Sequence, residues 1–306
     1  MIWLIGCNGM LGTEIARKLA ESKMEFTGTD IDVDITDIEA LRNFSKDKKI
    51  NWIINCAAYT AVDKAESDTE LADKLNNTAP GNIAKVAKEI KAKLIHISTD
   101  YVFDGTGDTP RTEEMPVAPL GVYGITKANG EKSVKENTNE YFILRTAWLY
   151  GFHGKNFVYT MIRAMNTHDA VKVVSDQRGT PTNASTLTSV ILKIINCTNQ
   201  NDDASIPSEK SISYGTYHCT DEGETTWFDF TKEIKRQAEE LGLVTNKNCI
   251  VNPCTTAEYP TPAKRPAYSV LSKAKIQSTL GIKLPEWQDS LKKFLADNLF
   301  EKDRIQ

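Results

Sequence analysis

The chain has 306 residues, 40% of them hydrophobic and 25% charged, with a formal net charge of -4, which suits a soluble protein with one large and one smaller compact unit. That charge, with no basic stripe along the chain, gives no electrostatic case for nucleic acid, and no apolar run approaches the ~20 residues of a membrane helix. Met1 to Ile5 is too short for a signal peptide and lacks a basic leader. Six cysteines, at 7, 56, 197, 219, 249 and 254, form no Cys-x-x-Cys and have no histidine pairs at zinc spacing. The expectation is a cytoplasmic, reduced protein.

In chain order, the first 150 residues alternate strand-like and helix-like stretches. Ile2 to Ile5 is a short apolar run that ends in glycine, and Leu11, Ile15 and Leu19 then recur at helical spacing. Phe26 to Asp30 reads as a second strand, and Trp52 to Ala58 as a strand buried on both faces. Ile83, Val86, Ala87 and Ile90 mark an amphipathic helix before a strand from Lys93 to Ser98. Gly124 to Lys135 reads as helix and Tyr141 to Thr146 as strand. This alternation predicts an α/β fold, a Rossmann-type doubly wound parallel sheet with helices on both faces.

The character then changes. Asn156 to Met165 predicts a helix, Val171 to Val174 a strand and Thr186 to Ile195 a helix, while Asn196 to Ser213, rich in Asn, Asp and Ser, predicts a mobile loop. Thr226 precedes a helix from Trp227 to Leu241 that Gly242 stops. Pro253, Pro260, Pro262 and Pro266 punctuate a loop-rich region, and Leu284, Trp287, Leu291, Phe294 and Leu295 mark a closing amphipathic helix. The expected division is a cofactor-binding Rossmann domain over residues 1–150, joined by later segments near 180–215, and a smaller α/β substrate-binding part within 151–306. No internal repeat occurs.

Gly6-Cys-Asn-Gly9-Met-Leu-Gly12 directly follows the first strand and opens the first helix. Glycines there permit a tight turn and let backbone approach a pyrophosphate, which the free N–H groups of the helix attract. Asp30 ends the second strand eighteen residues beyond Gly12, where a carboxylate can bind ribose hydroxyls and disfavour a 2′-phosphate. It could instead simply start a turn. The cofactor expected is NADH or NADPH, with NADH favoured by Asp30.

Tyr123-Gly-Ile-Thr-Lys127 puts a phenol and an ammonium on one helix face. Free tyrosine has a pKa of ~10, and bringing it to neutrality takes ~4 kcal/mol, which a close charge and cofactor contacts can supply. Such pairs also decorate solvated helices. Ser98-Thr99-Asp100 raises the case, because it lies at the carboxyl end of a strand, where doubly wound sheets bind ligands.

In this order the glycine loop, Asp30, Thr99 and Tyr123-x-x-x-Lys127 resemble the extended short-chain dehydrogenases/reductases. Longer blocks narrow the resemblance to the branch that reduces the 4-keto group of a dTDP-linked deoxysugar. These are Asn55 to Glu66, Ser98 to Gly105 with Gly107 and Pro110, Pro119 to Gly124, Leu144 to Tyr150, Asp176 to Thr182 and Tyr259 to Pro266. The resemblance implies an NAD(P)H-dependent reductase with Thr99, Tyr123 and Lys127 as catalytic trio. It implies that Gly6, Gly9, Met10, Leu11, Gly12, Asp30, Asp34, Ile35, Ala58, Tyr59 and Thr60, with Tyr123 and Lys127, hold the cofactor. Thr99, Asp100 and Trp148 would meet the nucleotide-sugar substrate.

Some members of that branch form a dimer bridged by magnesium through three glutamates. Here Glu14 survives, but Ser185 and Gln288 stand at the later positions, and one carboxylate is a poor site for a hard cation. The expectation is a possible homodimer with no bridging metal. Two rivals remain. A dehydratase commonly carries an Asp-Glu pair after the threonine, whereas Asp100 is followed by Tyr101, which leaves an epimerase as the closer rival. A non-catalytic NADP-binding subunit, like the regulatory subunit of methionine adenosyltransferase, is the other.

Overall fold

The computed structural model describes residues 1–202, 212–297 and 300–305, apart from the side chains of residues 200–202. Short apolar runs form the large sheet: β1 (Ile2–Ile5), β2 (Phe26–Thr29), β3 (Trp52–Asn55), β4 (Lys93–Thr99) and β5 (Tyr141–Thr146), with Gly215–His218 as the last strand. The order is Gly215–His218, β5, β4, β3, β1, β2, and every neighbouring pair is parallel. Alternate residues of β1 serve two cores. Ile2 and Leu4 pack with Leu11, Ile15 and Leu19 on one face, and Trp3 and Ile5 with Ile53, Ile83 and Leu94 on the other. Burial on both faces is why β1 and β3 at the centre are almost wholly apolar, whereas β2 at the edge, Phe-Thr-Gly-Thr, is not. The Rossmann-type architecture expected from the alternation is the one observed.

The chain leaves β2 at one edge and crosses back to β3 on the far side of β1. The loops after β1 and β3 therefore diverge, opening a crevice at the carboxyl ends of the strands. The observed β3 stops at Asn55 rather than Ala58, which leaves residues 56–58 in the loop at that crevice.

A helix spans Ala184–Asp202, well beyond the expected Thr186 to Ile195. Leu187, Val190, Ile191, Ile194 and Ile195 join the core that holds Ile2 and Leu4. Residues 196–202 are thus helical rather than loop, and 203–211 of the expected mobile segment lie outside the described residues. The polar run hides the continuation because its side chains have helical uses. The Thr198 hydroxyl donates to the Ile194 carbonyl (2.8 Å), and the Asn199 amide oxygen accepts from the Trp52 indole (2.9 Å).

A second core gathers Tyr150, Val158, Ile162, Phe230, Ile234, Leu291 and Phe294. Its helices carry the caps the residue pattern suggests. Asn156 accepts from Tyr159 N at the head of Phe157–Thr167, and Thr226 accepts from Asp229 N at the head of Trp227–Glu240. Gly242 turns away after the latter with φ +69°. Within the proline-punctuated region, Ile250–Cys254 forms a strand parallel to Ala170–Val174. No helix among the described residues is long and apolar enough to cross a membrane.

The helix Val122–Asn137 lies against β4 and β5 at close range. A Cβ on Gly130 would come within 1.9 Å of the Asn76 carbonyl oxygen, and one on Gly124 within 2.3 Å of that of Tyr101. Glu131 then takes a bidentate ion pair from Arg145 of β5 (2.7 and 2.8 Å) and a hydrogen bond from the Ser98 hydroxyl of β4 (2.6 Å). Both charged side chains are only 3% exposed. Removing one member of such a pair strands the other charge and costs ~3–5 kcal/mol, while removing both costs less. Arg145→Leu is therefore expected to lower unfolding free energy by about that amount, and Glu131→Leu with Arg145→Leu by clearly less, in chemical denaturation. Equal losses in the two proteins would contradict this account.

Candidate active site

The crevice at the carboxyl ends of β1, β3 and β4 is a cleft of about 1010 Å³. Its floor begins with the glycine loop. Gly6 takes φ +76°, and a Cβ there would come within 2.8 Å of Ala57 N. A Cβ on Gly12 would stand 2.0 Å from the Gly6 carbonyl oxygen. Helix Met10–Glu21 starts at Gly9 with no side-chain cap, so its first N–H groups and the positive end of its dipole are left for a ligand. The Asp30 carboxylate accepts from Asn8 N and Ile31 N, both at 3.0 Å, closing the loop from the end of β2. Asp34, exposed beyond it, is held below the usual carboxylate range by the Thr36 hydroxyl and N–H. Backbone approach, free helix N–H groups and a cleft of this size fit a dinucleotide.

Of the residues expected to hold cofactor or substrate, Gly6, Gly9, Met10, Leu11, Gly12, Asp30, Asp34, Ile35, Ala58, Thr60, Thr99, Asp100, Tyr123, Lys127 and Trp148 all line this one cleft. Tyr59 does not. Its N–H donates to the Asn76 side chain (2.9 Å), its hydroxyl donates to Asp68 (3.2 Å), and its ring packs with Ala65 and Ala72 behind the wall. The Asn76 side chain explains this, since it binds both the N–H and the carbonyl of Tyr59 and holds the residue on its own side of the wall.

Tyr123 sits in the first turn of Val122–Asn137, with Lys127 and Glu131 following at intervals of four on the same face. Lys127 is 2% exposed, and its ammonium donates to the Ile97 carbonyl of β4 at 2.7 Å. Burial brings its pKa down to about 8, opposed chiefly by the charge of Glu131. Burial likewise pushes the Tyr123 phenol up to about 12, with the Thr99 hydroxyl lowering it and the Asp100 carboxylate raising it. The activation expected from the neighbouring ammonium is therefore not expressed between these two side chains, because Nζ is turned to the strand. Across the neutral range the phenol keeps its proton.

Beside it, the Thr99 hydroxyl donates to Asp100 Oδ1 at 2.9 Å. Asp100 Oδ2 has no hydrogen-bond partner among the described residues. Burial raises the Asp100 carboxyl to about 6, only partly offset by the Ser269 and Thr99 hydroxyls. Tyr101 packs edge-on against Tyr123, with ring centroids 5.4 Å apart at 77°.

The far end of the cleft is an aromatic platform. Trp148 has φ +46°, a conformation that bulky side chains rarely adopt. Its ring stacks on Trp227 at 3.5 Å and 11°, and a Cβ on Gly179 would stand 2.6 Å from it. Trp227, Asn8, Tyr101 and the exposed Lys155 line the cleft without having been singled out in the sequence. Trp227 follows the capping Thr226, but nothing in its periodicity pairs it with Trp148. Glu14 is engaged by Arg17 at 2.6 Å, and no group of three or more His, Cys, Asp or Glu among the described residues is arranged to hold a metal.

A dinucleotide cradle that shares one cleft with a strand-end threonine and a Tyr-x-x-x-Lys stripe is the arrangement of the short-chain dehydrogenase/reductase class of enzymes. Within it, the chain belongs to the RmlD substrate binding domain family, which it matches over residues 1–300. A dTDP-4-dehydrorhamnose reductase of Shigella flexneri is 38% identical over 302 residues, spanning 97% of each chain. The crystal structure of a dTDP-4-dehydrorhamnose reductase from Clostridium acetobutylicum superposes with a TM-score of 0.87 at 45% identity, covering 96% of this chain and 98% of that one. The Bacillus anthracis reductase solved in complex with NADP gives 0.85 at 35% identity, with 96% and 97% covered.

The raised Asp100 carboxyl has a consequence for stability. Its folded value of about 6 lies above the ordinary 3.8, so the folded protein binds the extra proton between those values. Stability is then highest with the neutral acid and falls as pH rises from about 4 to about 6, by something on the order of 2–3 kcal/mol. The difference in melting temperature between wild type and Asp100→Asn should change across that window. A difference that stays flat with pH would refute the assignment.

Proposed function

We propose that this protein reduces the 4-keto group of dTDP-4-dehydro-L-rhamnose to give dTDP-L-rhamnose at the expense of NADH or NADPH. The observation that carries the reading is the meeting of Thr99, Tyr123 and Lys127 with the glycine loop in one cleft, in a chain whose relatives are reductases of that substrate. The residues over 1–150, with helix Ala184–Asp202 and strand Gly215–His218, are assigned to the cofactor, and the rest of 151–306 mainly to the sugar nucleotide.

Gly6, Gly9 and Gly12, with the N–H groups of the first helix, would receive the pyrophosphate, and Asp30 the adenosine ribose. Lys127 would hold the nicotinamide ribose. When bound, the reduced nicotinamide supplies the hydride. Thr99 would then turn its hydroxyl from Asp100 to the carbonyl oxygen on which negative charge develops, a donor of the kind that stabilises oxyanions. Tyr123 gives that oxygen its proton. A phenol with a pKa raised by burial is fully protonated at neutral pH, which is the state a reduction requires of its acid. An alkoxide is far more basic than a phenolate, so the transfer runs downhill. Trp148, backed by Trp227, would carry the deoxysugar, and Lys155 supplies a charge complementary to the diphosphate.

The reading is tested by incubating the protein with dTDP-4-dehydrorhamnose and each reduced cofactor. Mass spectrometry should find a product two hydrogens heavier, with one cofactor oxidised per turnover. An epimerase would change the sugar and return its cofactor unconsumed, and a regulatory subunit would do neither. Tyr123→Phe should lower turnover by about 10² or more, with cofactor affinity by fluorescence titration nearly unchanged. Undiminished turnover in that variant would remove Tyr123 from the role.

A further inference from the structure

The segment that follows β3 ends in a four-residue helix, Val62–Ala65, flanked at once by Glu66. Val62 lines the cleft. The two acidic residues on either side of Lys64 and Ala65 reach different parts of the molecule. Glu66 Oε1 accepts a hydrogen bond from Val122 N at 2.9 Å. Val122 opens the helix that carries Tyr123, and Gly121 at its head has no side chain to cap it. A Cβ on Gly121 would fall 2.6 Å from that same carboxylate oxygen, so the glycine leaves room for a cap supplied from outside the helix. A carboxylate there also complements the positive end of the helix dipole.

Asp63 turns to the other lobe. It takes both terminal nitrogens of Arg265 (2.8 and 3.1 Å) and the Ala263 N–H (3.2 Å), across about two hundred residues of chain. The loop it holds runs on to Pro266, which packs so closely on Gly105 that a Cβ there would stand 2.4 Å away. The Arg265 charge acts on the phenol of Tyr101, whose ring lies against Tyr123.

We propose that Asp63 and Glu66 are positioning residues for the reduction: Glu66 fixes Tyr123 through the first turn of its helix, and Asp63 fixes the Arg265 loop behind Tyr101, which lines the cleft beside Tyr123 and would there bound the sugar nucleotide. The proposal rests on Tyr123 being the proton donor. Neither carboxylate touches the reacting atoms. A cap of merely structural value could have been supplied by a serine or aspartate at position 121, as in most helices. Drawing both restraints from the segment that follows the cofactor loop ties acid, cofactor wall and Arg265 loop into one unit.

The test is steady-state kinetics on full-length variants, with cofactor affinity and melting temperature measured alongside. Glu66→Ala and Glu66→Asp, the latter charged but too short to reach, should each lower kcat about five- to tenfold with cofactor Kd unchanged. Glu66→Gln keeps an oxygen for Val122 N–H and should recover most of that loss. Asp63→Ala and Arg265→Ala should each raise KM for the sugar nucleotide about tenfold, and the double variant should be no worse than either alone. Wild-type kcat in Glu66→Asp, no recovery in Glu66→Gln, or additive effects of Asp63→Ala and Arg265→Ala would overturn the proposal. Tyr123→Phe run in the same series separates the two failures. If it is inactive while the Glu66 variants are normal, the positioning role alone falls. If it is fully active, the proton-donor reading falls first.

Discussion

The buried pair between Glu131 and Arg145 is the constraint on which the site depends. Glu131 lies four residues beyond Lys127 and eight beyond Tyr123, so the three side chains form one stripe of the helix Val122–Asn137. Arg145 belongs to β5, and Ser98, which also binds Glu131, immediately precedes Thr99 on β4. Two parallel N–H···O bonds fix rotation as well as distance. A slip of the helix by one residue would strand both charges in a place where water cannot reach them, at a cost of several kcal/mol. The register that satisfies Glu131 is therefore the one that brings Tyr123 beside Thr99. Small residues make it possible, because Gly124 and Gly130 let the helix come within contact of two backbone carbonyls.

The same packing governs the charge state of the cleft. Two ionisable groups at its centre are pushed by burial toward their neutral forms, Tyr123 upward and Lys127 downward. Asp100 is moved in the same sense as the tyrosine. For the proton donor proposed above, a phenol held neutral is the form required, and the desolvation that holds it so would also strengthen polar contacts made to a developing negative charge. The ammonium of Lys127 is anchored to the Ile97 carbonyl rather than to the phenol. On the proposed reading, its part would then be to hold a ligand and set the local potential. The simple picture of a lysine lowering a tyrosine across one helical turn omits the strand that competes for it.

Much of this was legible in the residues. The strand, glycines and helix of the first forty residues are local in sequence, and so are Thr99 at its strand end and the i, i+4 spacing of Tyr123 and Lys127. Periodicity and turn chemistry reach that far. Glu131 also left a signal, being the next position on the same face, and Arg145 left another, as a lone charge inside an apolar strand that must find a partner. Other features had no local trace. The resemblance gives Tyr59 to the cofactor, but its ring packs with Ala65 and Ala72 and its backbone is held on both sides by Asn76, a partner 17 residues away. Trp227 meets Trp148 across 79 residues, and Glu66 meets Val122 across 56. Contacts of that separation depend on how layers pack, which no window of ten residues contains. The polar end of the helix Ala184–Asp202 was read as loop because Thr198 and Asn199 look solvated until the carbonyl and the indole they bind are in place.

Trp148 shows how the second core shapes one wall of the cleft. A tryptophan with φ +46° stores something on the order of 1–3 kcal/mol of backbone strain, and such a residue persists only where its surroundings determine it fully. Here they do. The ring is gripped between Gly179, which has no room for a side chain, and the stacked face of Trp227. Trp227 in turn packs on Phe157, which with Phe230 belongs to the second core. The strain is thus opposed by an aromatic column that runs from the cleft into the heart of the smaller lobe. The large sheet and the helix packed on it set the glycine loop, Thr99 and Tyr123, whereas Trp148 and Trp227 are held by the packing of the other core. The large sheet and the loop that ends at Pro266 are tied through the Asp63–Arg265 pair, and the Gly105–Pro266 contact closes the same joint from the end of β4.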